Sequence, residues 1–152
     1  MSGAPRWPKV LAMAAAAAAL AACTLPWSAP PAPPSPHDVC RALNESLAAA
    51  VPPGESVAEL QARGIRVRTP LRFAPGTAPR PAQSSGAVVR LLIAPDGSVV
   101  PGSPKTLKSV GEAQVAVAME VAALSMRFDF DAGTAVAEPV PFTTALAVCP
   151  RS

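Results

Sequence analysis

Three cysteines, one histidine and a closely spaced pair of aspartates are the side chains here whose chemistry goes beyond solvation. The cysteines stand at positions 23, 40 and 149. There is no Cys-x-x-Cys, no His-x-x-x-His, no serine-histidine-acid spacing and no phosphate-binding glycine loop. Asp129 and Asp131 lie two residues apart, so on a strand they share one face, beside Arg127. That pattern reads as a salt-bridged or solvated surface rather than a general acid/base pair. His37 falls in the first turn of a predicted helix and reads as a surface residue. Asp96-Gly97 reads as a turn, and one carboxylate does not make a metal site. Nothing beside Cys40 or Cys149 would lower a thiol pKa as a redox couple requires. The expectation is a protein that is not an enzyme, with no cofactor, metal or small-molecule substrate.

The fate of Cys23 governs the other two cysteines. MSGAPRWPK carries Arg6 and Lys9 with no acid, and the thirteen residues from Val10 to Ala22 carry no charge. A membrane-crossing helix needs about 20 residues, whereas thirteen suit the apolar region of a signal peptide. Pro5, Pro8 and Pro26 bracket the run and argue against a core helix. Leu20-Ala21-Ala22-Cys23 then sets small residues before a cysteine, and this tetrad resembles the lipobox of bacterial lipoproteins. The resemblance implies cleavage before Cys23, a diacylglyceryl group on its thiol and acylation of the new amine, so that the membrane is a partner through Cys23. An ordinary secretory signal with an accidental cysteine is the competing reading. Thr24 is not the aspartate that marks inner-membrane retention in such lipoproteins. The implied address is the cell envelope, facing the periplasm, with the outer membrane favoured over the inner.

Residues 1–22 would then leave as the signal peptide. Losing Arg6 and Lys9 reduces 13 basic side chains to 11 against 10 acids, so the formal +3 becomes +1. That charge gives little reason to expect nucleic acid as a partner. With Cys23 committed to lipid, Cys40 and Cys149 remain in an oxidising compartment and are expected to pair. The bridge would close a loop of about 110 residues, near ~4.7 kcal/mol in the chain-entropy model. Residues 23–36, CTLPWSAPPAPPSP, form a Pro-rich tether that favours polyproline II. From Pro26 to Pro36 it reaches about 34 Å.

Residues 37–152 read as a single α+β domain. Ser35 can cap a helix, Pro36 suits its first position, and Asp38 favours its dipole. Val39, Leu43, Leu47 and Val51 form a stripe with Cys40 beside it, and Pro52, Pro53 and Gly54 stop the helix. A second short helix is predicted over Glu55 to Arg63, ending on Gly64. Arg63, Arg66, Arg68, Arg72, Arg80 and Arg90 then occur with no intervening acid. A polyanion or headgroup patch is one reading; a solvated loop and short strand is the preferred one, since stacking aromatics are nearly absent. GAVVRLLI (86–93) is a strong strand, with Val89, Leu91 and Ile93 on one face and Arg90 on the other. Ala94-Pro95-Asp96-Gly97 supplies turn chemistry, and Ser98-Val99-Val100 starts a return strand that Pro101 and Pro104 limit.

GEAQVAVAMEVAALSMRF (111–128) fits two templates, and helix and strand compete over 114–121. Length, alanine content and the lack of breakers favour a helix with two apolar faces. Such a helix is expected between the sheet and the 36–51 helix. AEPVPFTTALAVC (137–149) is a last strand with Val140, Phe142, Leu146 and Val148 on one face. Pro139 and Pro141 share the other parity and weaken one edge.

The strand-turn-strand-helix-strand order over residues 70–148 resembles the C-terminal domain of the TonB family. The matching text is TPLRFAPGTAP, SSGAVVRLLIAPDGSVVPGSP, a helix ending LSMRFDF, and AVAEPVPFTTALAV. The resemblance implies a small antiparallel sheet packed on a helix, whose last strand pairs with a peptide of an envelope protein. The residues it points to on that strand are Val140, Phe142, Thr144 and Leu146. A lipid anchor and short tether replace the spanning helix and long linker of that family. Three readings therefore stand: an anchored module binding an envelope protein by strand addition, a TonB-family transport component, and a structural lipoprotein contacting peptidoglycan.

Overall fold

The computed structural model describes residues 30–150. The expected signal peptide, Cys23 and the expected tether as far as residue 29 lie outside the described residues. Residues 30–35 carry no regular structure, and Pro34 onward forms one unit. Its α+β fold contains three helices and five strands among the described residues.

Helix α1 spans Pro36–Ala48, and its start follows from three consecutive choices. Ser35 Oγ accepts the Asp38 amide N–H at 3.2 Å, Pro36 needs no amide partner, and Asp38 lies at the positive end of the dipole. Leu47 is fully buried, but Val39 is 43% exposed, and Cys40 and Leu43 turn inward instead. The buried stripe thus begins one residue later than predicted, because Cys40 is bonded to the end of the last strand.

Helix α2 (Val57–Ala62) opens with a capping box rather than at Glu55. Ser56 Oγ accepts the Glu59 amide, and the Glu59 carboxylate accepts the amides of Ser56 at 3.1 Å and Gly54 at 2.7 Å. The Ser56 hydroxyl, and then those two amides, hold the Glu59 carboxyl below the usual glutamate range. A carboxyl depressed on folding contributes above its unfolded pKa, and that contribution is lost as pH falls through the folded one. Carboxyl NMR titration should therefore place Glu59 below an unstructured glutamate, with the α2 amides losing protection across the same acid window.

Strand β1 (Ile65–Thr69) pairs antiparallel with β4 (Arg127–Phe130). The main sheet contains β2 (Ser85–Ile93), β3 (Lys105–Val110) and β5 (Val140–Val148) in the order β3-β2-β5, all antiparallel. Isolated bridges Ile93–Val99 and Ser98–Arg127 link the two ladders through the turn after β2. In that turn the Gly97 amide donates to the Ala94 carbonyl at 2.9 Å, and the Ala94 amide to the Ser98 carbonyl at 2.8 Å. Gly97 has φ +80°, and a Cβ there would strike the Phe128 carbonyl oxygen. Glycine is required for both the turn and the approach of β4.

The return strand departs from expectation. Ser98–Val100 pairs only briefly before Pro101-Gly102 carries the chain out, and Ser103 Oγ accepts the Leu92 amide at 3.0 Å. Pairing resumes over β3, opposite Gly86–Arg90, with a register shift between Val88 and Val89.

Ala87, Val89, Leu91 and Ile93 face the main core with Met119, Phe128, Val140 and Phe142. Helix α3 (Ala113–Ala123) covers this face, burying Val115, Ala116, Met119, Ala122 and Ala123. Gly86 and Val88 have the other parity, and Leu47 of α1 sits against Gly86. Helix α1 therefore packs on the opposite face of β2 and β5, not over α3 as the sequence suggested. The second apolar face of α3 meets solvent: Val117 is 61% exposed and Val121 65%. With helices on both sides, β2 is buried along both parities, which is why its sequence runs apolar almost without alternation.

Candidate functional site

Backbone groups of a strand point alternately to its two sides. In β5, Phe142 lies opposite Leu91, Thr144 opposite Val89 and Leu146 opposite Ala87, while the Thr143 amide donates away from the sheet to the Glu55 carbonyl at 2.9 Å. Thr143 thus fixes the parity. Pro141, Thr143, Ala145 and Ala147 address the outer edge of β5. Pro141 has no amide hydrogen and Thr143 is occupied, so among the described residues the outward amides without a partner are those of Ala145 and Ala147.

The four residues singled out from sequence take different places. Val140 and Phe142 are buried in the main core, the latter edge-on to Phe128 with ring centroids 5.4 Å apart. Leu146 is half-buried against the same core, and Thr144 is half-buried. They hold β5 in place from the inside; the groups that can meet a partner are backbone groups of their odd-numbered neighbours.

Glu55, predicted as the first residue of a helix, lies outside α2 and is the buried acid that organises this edge. It is 8% exposed. Arg90 donates to both of its carboxylate oxygens, at 3.0 and 2.6 Å, and Thr143 Oγ1 donates to one at 2.6 Å. Side chains 88 residues apart are thereby locked together. Charge-assisted bonds of this kind contribute about 1.5–3 kcal/mol, discounted here because Arg90 is half exposed. Glu55→Ala should lower stability by about 2 kcal/mol in urea unfolding and speed amide exchange at Thr143.

The opposite edge is guarded differently. The Thr106 amide of β3 donates to the Glu120 carboxylate at 2.7 Å, Lys105 and Lys108 are exposed, and the register shift breaks regular pairing. These devices oppose the addition of another strand.

Cys40 and Cys149 are joined in a disulfide, with Cα atoms 6.0 Å apart and a sequence separation of 109. It fastens α1 to the residue following β5.

The remaining candidates disperse. Asp131 pairs with Arg66 at 3.0 Å and Asp129 with Arg68 at 3.7 Å, across the β1–β4 ladder. Arg127 is not their partner; it donates to the carbonyls of Leu124 and Met126. The arginine run is thus divided, with Arg66, Arg68 and Arg90 each held by an acid. His37 is exposed. Among the described residues, no three His, Cys, Asp or Glu side chains cluster to hold a metal ion, and no helix is long and apolar enough to cross a membrane. No family model, curated protein or solved structure matches the chain.

Proposed function

We propose that this protein is a non-catalytic, lipid-anchored envelope module that faces the periplasm and binds an envelope protein by strand addition along β5. The carrying observation is the edge itself. Strand β5 ends the sheet order, pairs along its inner side with β2 over nine residues, and presents the outward amides of Ala145 and Ala147 beyond the Glu55 clip. An extended peptide uses such groups for main-chain hydrogen bonds. The succession β2, β3, α3, β5 supports the TonB-like reading, with β4 as an additional strand between α3 and β5. The lipobox reading of Leu20-Ala21-Ala22-Cys23 supplies the anchor, and Thr24 favours the outer membrane.

A photo-crosslinking side chain at Ala147 tests this in intact cells. Capture of an outer-membrane protein is expected. Ala145→Pro removes one outward amide while leaving the β2 ladder intact, and should reduce capture about tenfold, the effect of one lost hydrogen bond to a partner. An inner-membrane motor component in the crosslink would favour the transport reading, and glycan alone would favour the peptidoglycan one. Intact mass of the membrane-extracted protein should show a chain beginning at a lipid-modified Cys23, and Cys23→Ala should abolish that modification; a mature protein with an unmodified thiol at position 23 overturns the anchor.

A further inference from the structure

A cavity of about 280 Å³ opens between the segment after β1 and helix α3. Arg72, Phe73 and Thr77 line one side; Ala118, Val121 and Ser125 line the other. The volume lies just below the roughly 300–1,000 Å³ of small-molecule pockets.

The polar groups define what fits. Thr77 Oγ1 already donates to the Ala74 carbonyl at 2.8 Å, and Ser125 Oγ to the Ala122 carbonyl at 2.7 Å. Neither hydroxyl has a proton left for an occupant. Arg72 has no acidic partner within 4.0 Å among the described residues, and no acid lines the cavity. The side chains of the lining therefore offer one permanent positive charge, two lone-pair acceptors and otherwise hydrocarbon. The site is half open, with Arg72, Thr77 and Val121 exposed, and among its side chains only Arg72 can donate to an occupant, so the amides and carbonyls of a peptide would find few partners on this wall. A molecule with one anionic end and an apolar body leaves nothing unsatisfied.

We propose that this cavity binds a free monocarboxylate with a hydrocarbon chain, a fatty acid of short to medium length, with its carboxylate on Arg72 and its chain along Ala118 and Val121. The site is separate from the β5 edge and stands whether or not that edge binds a partner.

The test uses the full chain, produced unacylated and free of detergent, titrated with sodium decanoate below its micelle concentration. Saturable one-to-one binding is expected, with amide shifts at Thr77, Ala118 and Ser125. Decyltrimethylammonium should bind at least about tenfold more weakly, and Arg72→Gln should cost decanoate about tenfold or more, as loss of a charge-assisted bond does. Ala118→Leu, which suits a helix and fills the space, should abolish binding while the circular dichroism spectrum is unchanged. Equal affinity for the anionic and cationic amphiphiles overturns the proposal. So does an unaltered affinity in Arg72→Gln, or tighter binding at the same amides by an acidic leucine-rich peptide or by phospholipid vesicles.

Discussion

Phe142→Ala should lower the unfolding free energy by about 3–5 kcal/mol, the cost of emptying a buried aromatic site. Phe142 is 1% exposed, sits on β5 opposite Leu91, and meets Phe128 of β4 edge-on. Its ring is therefore shared by both ladders, and its removal leaves a void that neither strand can close alone. The aromatic pair adds about 0.5–1.5 kcal/mol beyond area burial. Chemical denaturation should show the midpoint falling sharply with little change in slope. Phe142→Leu, which keeps most of the volume, should recover much of the loss. A loss below about 1 kcal/mol for the alanine variant would contradict the buried placement.

Removing the disulfide should have the next largest effect. A cross-link spanning 109 positions restricts the unfolded chain by up to about 4.7 kcal/mol in the loop-entropy account. Measured losses for native bridges in small secreted domains are typically about 2–5 kcal/mol. Cys40→Ser with Cys149→Ser should therefore lower the melting temperature substantially, and a reductant should do the same to the parent but leave the double variant unmoved. The damage should be uneven. Helix α1 retains only Leu47 as a fully buried anchor, so its amides should exchange first. Intact mass under non-reducing conditions should show no free thiol at Cys40 or Cys149.

Much of the architecture is legible because local chemistry and long-range need agree. Ser35-Pro36-Asp38 is a helix start in any context, and Ser56-x-x-Glu59 is a capping box as soon as Glu55 is released from the helix. The branched run of β2 and the Pro95-Asp96-Gly97 turn announce themselves in the same way. Strand β3 does not. KTLKSV has no clean alternation, leaves Leu107 and Val110 exposed, and forms only because β2 has an open side after Pro104. The two apolar stripes of α3 show that both faces are hydrophobic, but not that one meets water; that depends on α1 choosing the far side of the sheet.

The candidate edge was partly readable. The parity of Pro141 marked it, whereas the Glu55–Arg90–Thr143 clip is a contact between residues distant in sequence that no local pattern encodes. The cavity beside Arg72 was hidden for the same reason. In sequence Arg72 is one of six arginines in an acid-free run, and only folding shows that Arg66 and Arg68 acquire acids while Arg72 lies at the cavity beside Ala118 and Val121.

The bridge between Cys40 and Cys149 also decides how the protein carries load. A tension applied between the two ends of the chain passes from Cys40 directly to Cys149 through a covalent bond. Every residue from Arg41 to Val148 lies off that line, so neither the sheet nor α3 is in the path of the pull. The domain can be drawn taut without being unravelled, and only a reducing agent returns its fold to the mechanical circuit.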